Sequence, residues 1–147
     1  MLSFDRLRAI GEKILEIFPE VSSISCYASI ENIARKSDEE LRMLRELRFD
    51  MMNIGLESGH ADVLRAFNKG FTPEEAERAL LRLNAHGFRH CVNIIVGGGG
   101  TALSAEHAAA SARLINRVQP WMVFLMTLFL TQGSPLHAVA LHGDFEE

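Results

Sequence analysis

The chain has 147 residues, 48% of them apolar and 23% charged, with a net charge of −4. That length fits one domain with a sizeable core, the charged fraction excludes a membrane protein, and the scattered basic residues exclude a dedicated nucleic-acid surface. The longest apolar run, Trp121 to Leu130, is ten residues and too short to span a bilayer. No N-terminal stretch reads as an export signal, so the expected location is cytoplasmic.

Phe4 to Phe18 carries apolar residues at helical spacing, and Pro19 ends it. Ser22 to Ala28 is β-prone and reads as the first strand. Ser37 with Glu40 three residues on forms a capping-box pattern, opening a helix from Asp38 to about Leu47. Met51 to Leu56 is a second strand, followed by a helical stretch over Ala61 to Phe67. Thr72-Pro73-Glu74-Glu75 starts a helix that runs to about Ala85 and stops at Gly87. His90 to Val96 is a third strand that ends in four glycines. Ser104 to about Val118 is an Ala-rich helix broken by Gln119-Pro120, and Trp121 to Leu130 is a fourth strand. The tail from Thr131 to Glu147 reads as loop.

The order α-β-α-β-α-α-β-α-β predicts an α/β fold with a parallel sheet and right-handed crossovers. In such folds the functional groups lie at the C-terminal strand ends, which selects Ala28–Asn32, Gly55–Gly59, Val96–Gly100 and Leu130–Ser134.

Glu57 directly follows an apolar strand, and Ser58-Gly59 turn the chain away behind it. A carboxylate there can accept two hydrogen bonds from a vicinal diol, or it can be a plain surface acid. Lys69, after the short helix, can meet a ligand carboxylate at the same rim, or it is a helix-end lysine favoured by the macrodipole. Asn93, inside an apolar strand, either pairs with a neighbouring strand or faces a ligand. The glycines at 97–100 allow close backbone approach but lack the spacing of a phosphate loop. Cys26 and Cys91 stand alone as small apolar residues, and the six histidines show no metal-ligand spacing.

Taken together, these stretches resemble the radical S-adenosylmethionine superfamily. The resemblance rests on Tyr27-Ala28-Ser29, Ser37 to Leu41, Ile54 to Gly59, Asn68-Lys69-Gly70, Gly97 to Gly100, His107, Gln119-Pro120 and Gly133 to Leu136. It is nearest to iron–sulfur oxidoreductase-like members and is shared with oxygen-independent coproporphyrinogen oxidases. The resemblance implies a partial (β/α) barrel whose first strand leads into a Cys-x-x-x-Cys-x-x-Cys loop holding a 4Fe-4S cluster. That motif is absent here, so about four parallel strands are expected, strands 3 to 6 of a parent TIM-like barrel. This portion is expected to bind S-adenosylmethionine, with the cluster supplied by an N-terminal segment outside the chain.

Carried over by position, Glu57 corresponds to a ribose contact, with Ser58 beside it in the cofactor-binding set. Lys69 corresponds to a contact with the methionine carboxylate and Asn93 to a second ribose contact. Gly97, Gly98 and Gly99 correspond to glycines beside the adenine. Arg48 departs from the family, where glycine is usual after the helix. No catalytic residue and no metal ligand are assigned, and a small molecule or an RNA remains open as substrate. Two other readings stand beside this one: a phosphate-binding barrel lyase or aldolase using the glycine run, and a non-enzymatic interaction module. The missing strands would leave the first strand as an open edge, so homo-oligomerisation through it is expected.

Overall fold

The computed structural model describes residues 3–141. Its elements are α1 (Phe4–Ile17), β1 (Ile24–Ala28), α2 (Ile30–Ala34), α3 (Asp38–Glu46), β2 (Phe49–Glu57), α4 (Ala61–Ala66), α5 (Pro73–Ala85), β3 (Arg89–Val96), α6 (Ser104–Val118), β4 (Met122–Thr127) and α7 (Pro135–Leu141). The four strands form one parallel sheet in the order β1-β2-β3-β4. This is the expected α/β arrangement and matches a partial barrel of the radical S-adenosylmethionine type.

Side chains alternate across the sheet. Met52, Ile54 and Leu56 on β2 and Val92 and Ile94 on β3 point to the helix layer and are 5% exposed or less. There they pack with Leu44 of α3 and with Leu80 and Leu83 of α5. The intervening positions form the opposite face. The pairing aligns Tyr27, Asn53, Cys91 and Met122 in one row, and Gly55, Asn93 and Phe124 in the next. Exposed side chains mark that face, with Tyr27 81% and Phe124 46% exposed.

The capping box of Ser37 with Glu40 forms as the sequence predicts, and the helix start at Thr72 closes a second one with Glu75, with Pro73 in the first turn. Two helices depart from expectation. The five-residue α2 is too short to show a period and is held by the Ser29 hydroxyl accepting the Asn32 N–H. The tail, expected to be loop, contains α7, whose first turn is capped by the Ser134 hydroxyl accepting the His137 N–H. The rest of that tail, 142–147, lies outside the described residues. Arg48 adopts φ 65°, the left-handed conformation that glycine favours, and its guanidinium donates to the Pro19 carbonyl at 2.7 Å.

Candidate functional site

At the N-terminal end of the strands the acid Asp50 is engaged on both oxygens. Asp50 accepts from Arg45 at 2.8 Å, from Ser23 at 3.2 Å and from Arg89. Burial works to raise its carboxyl, but the hydrogen bonds from Arg89 and Ser23 and the Arg45 and Arg89 charges hold it below the usual range.

The C-terminal rim differs. β2 bulges against β3 between Gly55 and Glu57, and Glu57 adopts φ 68°. A bulge of this kind re-aims a side chain. The Glu57 carboxylate swings over the Gly55 backbone, where any Cβ on residue 55 would lie 2.4 Å from Glu57 Oε1. Lys69 Nζ donates to that same oxygen at 3.3 Å and also sits over the Phe71 ring. The pair is largely buried, with side chains 24% exposed for Lys69 and 17% for Glu57. Two residues expected at the rim are therefore brought together. Gly55, already placed in the rim segment, makes room for them, a role set by a contact made only in the fold.

Asn93 lies on the open face beside Gly55 and Phe124. It is half-buried, and among the described residues its amide has no hydrogen-bond partner. The strand-pairing alternative is thus not what the structure shows.

Ser58 does not join this group. It is fully buried and places its hydroxyl 2.8 Å from His107 Nδ1. The same oxygen accepts the His60 N–H at 2.8 Å. Its hydroxyl is thus engaged toward α6 and away from the Glu57–Lys69 pair.

Gly97 has φ 85° and is half-buried, whereas Gly98, Gly99 and Gly100 are buried. A Cβ at Gly98 would lie 2.9 Å from Phe67, and one at Gly99 2.8 Å from the Leu103 carbonyl. Two of the run's N–H groups are consumed internally, Gly98 on the Ile95 carbonyl and Gly100 on the Gly97 carbonyl. The run is a tightly packed turn, and these N–H groups do not point outward as a phosphate cradle requires.

Cys26 and Cys91 lie on opposite faces of the sheet, each beside a methionine: Cys26 Sγ is 3.4 Å from Met52 Sδ and Cys91 Sγ 3.5 Å from Met51 Sδ. Burial pushes both thiols up, away from the thiolate that a metal needs. Among the described residues no group of three or more histidine, cysteine or acidic side chains can hold a metal ion. These residues therefore do not fit a 4Fe-4S cluster, which takes three or four thiolates. Among the described residues no helix is long and apolar enough to cross a membrane.

The arrangement agrees with what known proteins show. The sequence profile of the Radical SAM superfamily matches residues 4–111. Comparison with curated proteins returns no match. Among solved structures, the chain is similar to Elp3 of the archaeon Methanocaldococcus infernus, with 18% identity and a TM-score of 0.69, over 84% of this chain and 29% of that one. It is also similar to methylornithine synthase (PylB), with 19% identity and a TM-score of 0.70, over 90% of this chain and 36% of that one. A third likeness is to TsrM of Kitasatospora setae, a radical S-adenosylmethionine methyltransferase whose structure holds cobalamin and a [4Fe-4S] cluster. Its identity is 17% with a TM-score of 0.59, over 84% of this chain and 23% of that one. The chain thus spans about a third or less of the length of these structures, and at such identities they speak for the fold alone. The profile covers most of the sequence, and with it come the family's cofactors, S-adenosylmethionine and a 4Fe-4S cluster: the chain belongs to the radical S-adenosylmethionine superfamily.

Proposed function

We propose that this chain is the S-adenosylmethionine-binding part of a radical enzyme, with Glu57 accepting the ribose diol and Lys69 receiving the methionine carboxylate. One observation carries the reading: a partly buried acid and base face each other on the functional rim and are left unsaturated. Among the described residues Glu57 has a partner on one oxygen only, and Lys69 uses one of its three donors. A buried carboxylate in a purely structural role is engaged like Asp50, on both oxygens. Asn93 adds an amide on the same face that can both donate to and accept from ribose hydroxyls. The turn at Gly97 to Gly99 supplies a flat backbone edge for the adenine.

When bound together with a 4Fe-4S cluster, S-adenosylmethionine would supply the one-electron, hydrogen-abstracting chemistry of the superfamily, with Glu57 and Lys69 as the residues of this chain that would hold it. This chain's own residues bind and orient. Glu57 fixes the ribose, Lys69 neutralises the carboxylate, and the shared contact between them holds both side chains near the poses they need. The substrate of the whole enzyme, a small molecule or an RNA, meets the open face of the sheet.

The test is a titration of adenosine, 2′-deoxyadenosine and S-adenosylmethionine followed by NMR. Wild type prefers adenosine over its deoxy analogue by roughly tenfold, the worth of one hydrogen bond to a charged group. Glu57→Gln loses most of that preference, and Lys69→Gln weakens S-adenosylmethionine more than adenosine. Equal preference in wild type and Glu57→Gln overturns the ribose role.

A further inference from the structure

Two consecutive residues behind Glu57, Ser58 and Gly59, are clamped to α6. The Ser58 hydroxyl meets His107 Nδ1 at 2.8 Å. The Gly59 N–H donates to the Ser111 hydroxyl at 2.9 Å. Gly59 itself lies so close to α6 that a Cβ would fall 2.6 Å from the Ala110 carbonyl oxygen. His107 reaches the other rim loop as well, because its Nε2 is 3.0 Å from the Ile95 carbonyl, one residue before β3 ends.

The direction of this chain of hydrogen bonds can be assigned. A carbonyl only accepts, so Nε2 carries the hydrogen and donates to Ile95. The His60 N–H donates to Ser58 Oγ. The Ser58 hydroxyl then donates to Nδ1, and every member is satisfied by a neutral imidazole. His107 is 5% exposed and Ser58 fully buried, so water cannot replace either partner cheaply.

Glu57 needs such a clamp. Its left-handed backbone is one that a glutamate side chain disfavours, and such a conformation persists only where the surroundings over-determine it. The residues immediately after it are the ones pinned to α6.

We infer that His107 is a positioning residue for the ligand site: acting through Ser58, it holds the Glu57 turn in the conformation that aims the carboxylate at the ribose. The inference rests on the reading of Glu57 as the ribose contact.

The same nucleoside titration tests it, on the full chain, with a thermal melt for each variant. His107→Leu and Ser58→Ala both remove the Ser58–His107 bond, and each lowers the preference for adenosine over 2′-deoxyadenosine by at least threefold. His107→Asn, whose amide oxygen can take the place of Nδ1, restores part of it. A merely structural role would lower the melting temperature in all three while leaving the preference intact, and that result overturns the inference. Loss of the preference in Glu57→Gln with retention in Ser58→Ala separates the two ideas, keeping the ribose contact and discarding the clamp. An unchanged preference in Glu57→Gln discards the ribose contact itself. A measurement on wild type covers the case of variants that do not fold. The Gly59 and His60 amides should exchange with solvent as slowly as those in the middle of α6, and exchange at loop rates overturns the clamp.

Discussion

At the scale of single residues, the backbone of Glu57 makes a claim that does not depend on any ligand. In the left-handed region an L side chain costs roughly 1–2 kcal/mol, and glycine pays nothing. Glu57→Ala and Glu57→Gly both remove the carboxylate, but only alanine keeps a Cβ at φ 68°. In an ordinary strand the alanine variant would be the more stable by roughly 0.5–1 kcal/mol. Here the order inverts, with the glycine variant melting roughly 2–4 °C above the alanine one. Paired thermal melts check this, and a more stable alanine variant would show that residue 57 is extended.

The rim positions of Glu57 and Lys69 were readable from chain order, because an acid after a parallel strand can only emerge at its C-terminal end. The burial of Ser58 was not readable, because β2 bulges between Gly55 and Glu57 and ends there, so alternation along the strand does not carry through to residue 58. Gly55 was placed on the rim and His107 was noted, but their roles were not readable, because these come from residues 2 and 49 positions away that meet them only in the fold.

At the scale of elements, the caps carried the sequence reading. Ser37 and Thr72 fixed two helix starts, since a hydroxyl paired with a glutamate three residues on satisfies the first N–H groups in a way few other structures can. The five-residue α2 and the seven-residue α7 escaped, because neither contains two full turns of periodic signal. How α5, β3 and α6 meet was also hidden, and it has a pH consequence. His90, the second residue of β3, is almost completely buried, with Nε2 3.0 Å from Asn84 Oδ1 and, among the described residues, no hydrogen-bond partner at Nδ1. Burial holds its pKa below the ordinary value, so the folded protein keeps the ring neutral. A depressed histidine contributes stability that is complete above about pH 6.5, its unfolded value, and is lost as pH falls through the folded value. Melting temperature should therefore fall between pH 7.5 and 5, and His90→Gln, which keeps a donor for Asn84, should flatten that slope. A wild-type slope that survives in His90→Gln would place the titration elsewhere.

At the scale of the whole molecule, β1 is an edge strand, paired among the described residues only with β2. An edge strand can pair with another chain, and β1 carries neither a charge nor a proline to discourage it. We propose that the chain self-associates through this edge. Light scattering should show mass rising with concentration, and Tyr27→Lys, which puts a charge on the edge, should reduce it. A wild-type monomer at high concentration would count against the idea. The parallel sheet and its order were legible throughout, because each strand–helix–strand passage is local in sequence. The extent of the bare face was not, since it depends on which strands are present.

The two faces of the sheet have a last consequence. The strand residues that hold the fold and those on the bare face come from alternate positions of the same strands, so they answer to separate demands. Tyr27→Lys should cost under about 1 kcal/mol of stability, whereas Leu56→Ala, one face away, should cost roughly 2–5 kcal/mol. Chemical denaturation of the two variants measures the difference. A surface that can change its chemistry at so little cost to folding is free to drift, and substrate range in such a scaffold can diverge while the scaffold itself stays put.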